Sequence, residues 1–405
     1  MFEQLSQQPD DPILALLQEA RQDRSPHVVD LSVGIYKTED GDTPVLSAIK
    51  QAEQRRIAGE ATKAYTGIRG DDRFNALLVE LILGENHPVV RDRRVSSIQT
   101  IGGSGALFVG GRLLVEANAD ARIWAGNPTW GNHLPLLSSA GVKMDTLPYY
   151  DFATHQVDFQ NLLQHATALE EGAVVLLHGC CHNPCGADLS KQQWDELSEV
   201  ILARNLIPFI DVAYHGLAAN LEEDAYGWRM LAAKVPEMLL AYSCSKNFGV
   251  YRDRAGVLVA ISANAEEAKK TESNMMSISR ATYSMPAAHG AFAVAEVLDD
   301  TSLRAAWEAE LAAMNTRIDG ARRDFVVAAR NQSQALNFDF VADQFGMFSF
   351  LGISVEQVRA LKQQHSVYML ESSRINVAGL TKTNIDYVAN ALGEVVGSVL
   401  SFFNG

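Results

Sequence analysis

Apolar residues along the chain fall into two recurring patterns. Short runs, partly β-branched and closed by glycine, proline or polar residues, occur at residues 95–101, 122–125, 173–177, 206–211, 239–242 and 256–261. Each is expected to be a buried strand. Between them lie amphipathic stretches such as 106–117 and 191–204, the pattern of helices with one packed face. Strand–helix alternation of this kind predicts an α/β fold with a mostly parallel sheet flanked by helices.

The pattern changes near residue 301. Leu303, Trp307, Leu311, Met314, Ile318, Ala321 and Phe325 recur at spacings of three and four. They predict one long helix over about 301–330, interrupted only by Gly320. Beyond it, a strand (347–351) and helices (355–365 and 383–402) alternate as in a smaller α+β unit. The expected organisation is an N-terminal arm and part of the small domain over 1–43, a large domain over 44–312, and the rest of the small domain over 313–405, entered through the long helix.

Composition narrows the function classes. The chain has 405 residues, 47% hydrophobic and 20% charged, as an ordinary folded protein does. Thirty-four basic against 49 acidic residues give a net charge of −15. Such a surface repels phosphate backbones and acidic lipid, so neither nucleic-acid nor membrane binding is expected. The N-terminus lacks a basic segment followed by an apolar one, and no apolar run approaches the ~20 residues of a membrane span. Four cysteines do not make a disulfide framework in a chain this long, which suits a reducing cytoplasm.

Several clusters could carry chemistry. Gly102-Gly103-Ser104-Gly105 follows a predicted strand and precedes a predicted helix. Free N–H groups there can hold a phosphate, although a tight turn without ligand fits equally well. No Lys-Ser or Lys-Thr follows it, and Phe108 occupies the last glycine position of a dinucleotide fingerprint. Cys180, Cys181, His182 and Cys185, with His178 nearby, resemble a metal cluster, but adjacent cysteines and the lack of a second ligand pair do not fit zinc. Buried structural thiols are expected instead, and no metal. Asn183-Pro184 forms a turn at a strand end, where α/β proteins line their ligand crevice. Asp211 closes a very apolar run; it is either a helix N-cap or a buried carboxylate that needs a facing cation. Tyr214 follows three residues on. Lys246, between small hydroxyl residues at another strand end, could form a Schiff base if desolvation or nearby cations lowered its ammonium pKa.

These pieces in this order resemble the fold-type-I enzymes that use pyridoxal 5′-phosphate, and more narrowly the class I aspartate and aromatic amino-acid aminotransferases. The resemblance runs from Asp11-Pro12-Ile13 to Asn376-Val377-Ala378-Gly379. It is strongest in HGCCHNPCG (178–186), IDVAYHG (210–216), SCSKNFG (243–249) with Arg254 and Gly256, and RINVAG (374–379).

The resemblance implies a large cofactor-binding domain and a role for each motif residue. Lys246 would bond the cofactor covalently and then move the substrate's α-proton. Asp211 would face the pyridine nitrogen; Asn183 and Tyr214 would hydrogen-bond the phenolic oxygen; Trp130 would stack on the ring. Gly103, Ser104, Ser243, Ser245 and Arg254 would hold the phosphate. Arg374 would clamp the substrate's α-carboxylate, and Gly34 would belong to the segment closing over substrate. Arg280 would reach from a second subunit to a distal carboxylate, with Tyr65 and Ser284 also crossing the homodimer interface. The implied activity is ping-pong transamination of an L-amino acid, aspartate first and aromatic amino acids also, with 2-oxoglutarate. An enzyme acting mainly on tyrosine and phenylalanine is the alternative. The two arginine clamps argue against β-lyase or decarboxylase chemistry, and the retained Lys246, with no N-terminal winged-helix segment, argues against a non-catalytic cofactor sensor.

Four positions depart from the family pattern. Cys185 stands where Thr is usual and is read as a change in packing. Met285 replaces Asn, Ala64 replaces Asn before Tyr65, and Ser104 replaces Thr, whereas Lys37 and Thr43 follow the aspartate-type pattern. Losing an Asn beside Arg280 removes a polar tether, so that arginine is expected to swing aside for an aromatic side chain.

Overall fold

A computed structural model of the chain describes residues 1–333 and 336–403. It divides into two compact units, one of Pro44–Thr316 and one of Met1–Thr43 with Arg317–Gly405.

The larger unit is built on a seven-stranded sheet. In chain order its strands are β1 (Val95–Ile101), β2 (Arg122–Asn127), β3 (Lys143–Pro148), β4 (Val174–His178), β5 (Ile207–Val212), β6 (Met238–Ser243) and β7 (Ala255–Ile261). Their spatial order is β1-β7-β6-β5-β4-β2-β3. Only β7 runs against the rest, pairing antiparallel with both β1 and β6. Ile98, Ile123, Leu176, Phe209, Leu239 and Leu258 join Leu107 of the Gly102–Ala117 helix in one fully buried cluster. That explains why six of the strands read as apolar runs: both faces are covered. The seventh, β3, carries no such run: unlike β1 at the other edge, its residues 143–146 are only partly buried or exposed. An edge strand tolerates the polar sequence Lys143-Met144-Asp145-Thr146.

The helix after β1 begins at Gly102, earlier than its apolar pattern at 106 suggests. Gly102 has φ +73°, and a Cβ on Gly256 of β7 would meet the Gly102 carbonyl carbon at 2.6 Å. Two glycines thus let the helix start directly off the strand, with its first amides at the sheet's edge.

The smaller unit pairs Val29–Asp30 in parallel with Val367–Tyr368, and Phe348–Phe350 antiparallel with Arg374–Asn376. Phe325, Leu361, Ile375, Val388 and Leu392 form its core. The long helix spans Thr301–Gln332, and every member of the predicted stripe from Leu303 to Phe325 is buried. Among the described residues, no helix is long and apolar enough to cross a membrane.

Candidate active site

The carboxyl ends of β4, β5 and β6 carry the chemistry. Parallel pairing sets His178, the last residue of β4, opposite Asp211 of β5. The Asp211 carboxylate accepts a hydrogen bond from His133 Nε2 at 3.0 Å, and His133 Nδ1 pairs with the Thr129 hydroxyl at 2.7 Å. Burial alone would push the Asp211 carboxyl up. The His133 hydrogen bond, with the charge of Lys246, outweighs burial and holds the carboxyl below its ordinary value. Burial drives His178 down to about 3, so its ring is uncharged.

Lys246 leaves the end of β6 with its ammonium 4.9 Å above the centre of the Tyr214 ring. Burial pushes that ammonium down to about 8; the Asp211 charge opposes the shift and the Arg254 charge adds to it. The backbone around Lys246 is held firmly. Trp307 Nε1 donates to the Asn247 carbonyl at 2.7 Å, and Phe248 stacks on Trp307 with ring centres 4.3 Å apart. Asn247 Nδ2 donates to the Tyr242 hydroxyl at 2.8 Å, which also meets His215 Nδ1 at 3.1 Å.

Beside the lysine lies a cup suited to an anion. A Cβ on Gly103 would strike the Ser243 Cβ at 2.9 Å, so backbone approaches side chain closely there. Ser243 Oγ accepts from the Ser245 amide at 3.2 Å, and Arg254 Nη1 donates to Ser245 Oγ at 3.4 Å and to the Tyr251 carbonyl at 3.1 Å. Among the described residues, no carboxylate lies within ion-pair distance of Arg254. A guanidinium lacking a counter-ion, two serines and a helix N-terminus select a phosphate. Asn183, buried, follows the turn after β4 and forms a cis peptide with Pro184. Trp130 packs edge-on to His133, ring centres 5.3 Å apart.

Gly34 and Arg374 belong to the smaller unit. Arg374 is buried, its guanidinium 4.5 Å over the Phe348 ring and donating to the Ser32 carbonyl. A Cβ on Gly34 would lie 2.6 Å from that same ring, so the glycine makes room for the aromatic face that carries the arginine.

Gly103, Ser243, Ser245, Lys246, Arg254, Asp211 and Tyr214 are therefore neighbours within the larger unit, with Ser104 in the first turn of the Gly102–Ala117 helix. Tyr65, Arg280 and Ser284 stand differently. Tyr65 is 91% exposed, and exposed Arg280, in the last turn of the Ala265–Thr282 helix, donates to Ser284 Oγ. His133 and Thr129 escaped the sequence reading. Their only signal is a four-residue spacing just after Asn127-Pro128; Thr129 lies in the loop and His133 opens the short helix His133–Ser139.

Known proteins are similar to this chain over nearly its whole length. The family model described as aminotransferase class I and II matches residues 26–392. The chain is 41% identical to the aspartate aminotransferase of Escherichia coli K12, covering 98% of this chain and 100% of that one. It is also 41% identical to the aromatic-amino-acid aminotransferase of Paracoccus denitrificans, with the same coverage. A solved structure from Burkholderia pseudomallei, an aromatic-amino-acid aminotransferase described as covalently bound to pyridoxal phosphate, superposes with a TM-score of 0.94 at 37% identity, over 98% of this chain and 99% of that one. With a site built on a half-buried lysine of lowered pKa and relatives matching over nearly its full length, the chain belongs to the class I and II aminotransferases.

Proposed function

We propose that this aminotransferase holds pyridoxal 5′-phosphate in its larger unit and transfers the amino group of an L-amino acid, aspartate first, to 2-oxoglutarate in two alternating half-reactions. The observation that carries the reading is Lys246. A lysine amine that sheds its proton near pH 8 is both nucleophile and base at working pH.

The residues fit the cofactor. The cup of Gly103, Ser104, Ser243, Ser245 and Arg254 suits its phosphate, and the buried, ionised Asp211 requires the cation that a protonated pyridine nitrogen provides. When bound, the cofactor supplies the electron sink and the temporary carrier of the amino group. The chain's own groups do the rest. Asp211, oriented by His133, keeps a proton at the ring nitrogen. Asn183 and Tyr214 donate to the phenolic oxygen. Trp130 covers the ring and excludes water. Lys246 would take the proton from the substrate's α-carbon and deliver it to the cofactor's C4′ carbon, the move that leaves the amino group on the cofactor. Arg374 binds the α-carboxylate, beside the Gly34 segment.

The enzyme acts as a homodimer in the cytoplasm. Tyr65, Arg280 and Ser284, exposed or near the surface of one chain, contribute to the site of the other, with Arg280 meeting the distal carboxylate. Four buried thiols suit a reducing compartment. A second reading, main activity on tyrosine and phenylalanine, is favoured by Met285 beside Arg280 and by relatives of equal identity that bear the aromatic name.

Absorption spectroscopy tests the first claim. Protein incubated with pyridoxal phosphate is expected to gain a visible band that aspartate bleaches and 2-oxoglutarate restores; a protein that takes up no cofactor would overturn the reading. Comparing kcat/KM for aspartate and phenylalanine decides the second. A phenylalanine value lower by about four orders of magnitude, some 5–6 kcal/mol of discrimination, rules the aromatic reading out.

A further inference from the structure

Cys185, one of the departures from the family pattern, has a partner that its sequence does not suggest. Its sulfur lies 3.1 Å from His182 Nδ1, with the Ala187 carbonyl farther off at 3.9 Å. The His182 ring is sandwiched. Tyr149 stacks on it at 4.2 Å between centres and 16° between planes, and His178 meets it at 4.1 Å and 48°. His178 in turn contacts His133, ring centres 5.2 Å apart, and His133 carries the hydrogen bond to Asp211. A row of ring contacts, with His178 half-buried between buried His182 and His133, thus joins a thiol to the carboxylate assigned to the cofactor nitrogen.

We infer that Cys185 is a positioning residue: its thiol fixes the His182 ring, which through His178 and His133 holds the Asp211 carboxylate in place for the pyridine nitrogen. The argument rests on the cofactor reading above, and its physics is that of a packed row with one adjustable end.

His178 and His182 are both driven far below their ordinary values by burial, so each ring is neutral and has one donor and one acceptor nitrogen. Which nitrogen holds the proton is set by its neighbours. Burial pushes the Cys185 thiol up, so the sulfur keeps its proton throughout the working range. It is a permanent donor, and His182 Nδ1 answers as acceptor with the proton on Nε2. The backbone on which both stand is also fixed. Asp188 accepts the amides of Cys181 at 2.6 Å and His182 at 2.7 Å, and the Tyr149 hydroxyl donates to the Ala187 carbonyl at 2.9 Å. Rings held at their roots and packed against one another, Tyr149 stacked on His182 and the His182–His178 and His178–His133 pairs tilted at 48° and 47°, transmit a displacement rather than absorb it.

Isosteric replacements separate the hydrogen bond from the packing. Cys185→Thr keeps a donor at the same branch point; Cys185→Val has the same shape and none. In holoenzyme, Cys185→Val is expected to release pyridoxal phosphate about three- to tenfold faster than wild type and to alter its visible band, the scale set by one lost buried hydrogen bond. Cys185→Thr should stay within about twofold of wild type on the same scale. Equal rates and spectra for the Thr and Val variants would overturn the role. Imidazole nitrogen shifts measured without cofactor give an independent readout: His182 should show a single Nε2–H form in wild type and in Cys185→Thr, and lose it in Cys185→Val. An unchanged His182 signal in Cys185→Val overturns the inference even if cofactor binding is as proposed. Wild-type protein that shows the signal but takes up no pyridoxal phosphate overturns the cofactor reading instead.

Discussion

In the larger unit, burial lowers the Lys246 ammonium to about 8, with Arg254 adding to the shift and Asp211 only partly restoring it. In the smaller unit, Arg322 and Arg374 are buried more deeply than the half-buried Lys246, at 1% and 4% exposure. Arg322 donates to the carbonyls of Val341, Phe345, Gly346 and Phe348 and to the Ser349 hydroxyl. Both units thus bury cations, by different means. A lysine can answer desolvation by giving up its proton, whereas a guanidinium stays charged and must be clothed in acceptors. The first arrangement makes a group that exchanges protons; the second makes fixed positive charge. Proton chemistry in one unit and charge recognition in the other follow from the choice of side chain.

The strongest way to break that contrast is to put the second kind of cation in the first place. Lys246→Arg keeps positive charge and length but can neither bond the cofactor nor release a proton. Turnover is expected to fall by about ten-thousand-fold or more, with the visible band of the bound cofactor altered. Steady-state rates near wild type would remove Lys246 from the role proposed for it.

The converse change is Arg322→Met. It leaves several buried carbonyls without their charged donor, and the expected loss of stability is about 3–5 kcal/mol, the sum of a few unsatisfied buried acceptors at roughly 1–3 kcal/mol each. Denaturant unfolding of the full chain measures it; a loss below about 1 kcal/mol, the worth of a single ordinary hydrogen bond, would show that water replaces the guanidinium.

The lysine also leaves a pH signature in the cofactor-free protein. Its ordinary value is 10.5 and its folded value about 8, so between these limits the unfolded chain binds the extra proton and stability rises with pH. Below about 8 both states are protonated and the full cost of the buried charge remains. Lys246→Met should therefore be more stable than wild type near neutral pH by about 3 kcal/mol, with the difference closing toward pH 10.5. Urea midpoints of both proteins across that window give the comparison; parallel curves would mean that Lys246 titrates alike folded and unfolded.

How far the sequence revealed these two regions depends on how local the signal is. Six strands of the sheet are legible because burial on both faces leaves apolar runs, whereas β3 is not because its residues 143–146 are only partly buried or exposed. Lys246, Asp211 and Asn183 could be singled out because each sits in a short motif at a strand end. His133 could not: its meaning comes from a contact with Asp211, seventy-eight residues away. Arg322 was invisible for a related reason. Its spacing on the long helix continues the apolar stripe beside Ala321 and Phe325, and only the turn at Phe345–Ser349, brought in by the fold, turns a helical arginine into a buried hub.

The smallest expected effect sharpens the contrast within the smaller unit. Arg374 is held flat, with its guanidinium 4.5 Å over the Phe348 ring and its Nη2 on the Ser32 carbonyl. A guanidinium held flat in this way keeps the planar fork that bidentate capture of a carboxylate requires. Arg374→Lys keeps the charge but not the plane. A point charge on a flexible stem can sit over the ring or reach the Ser32 carbonyl, and it offers a carboxylate one donor at a time. Under the role proposed for Arg374, KM for the amino acid should rise about tenfold, roughly 1.4 kcal/mol, with kcat changed less, because the lost interaction is made to bound substrate and transition state alike. A drop in kcat with KM unchanged would show instead that this arginine acts only as the reaction proceeds. It would then belong with Lys246 among the groups whose function lies in the chemical step, and the division between fixed charge in one unit and proton exchange in the other would not hold.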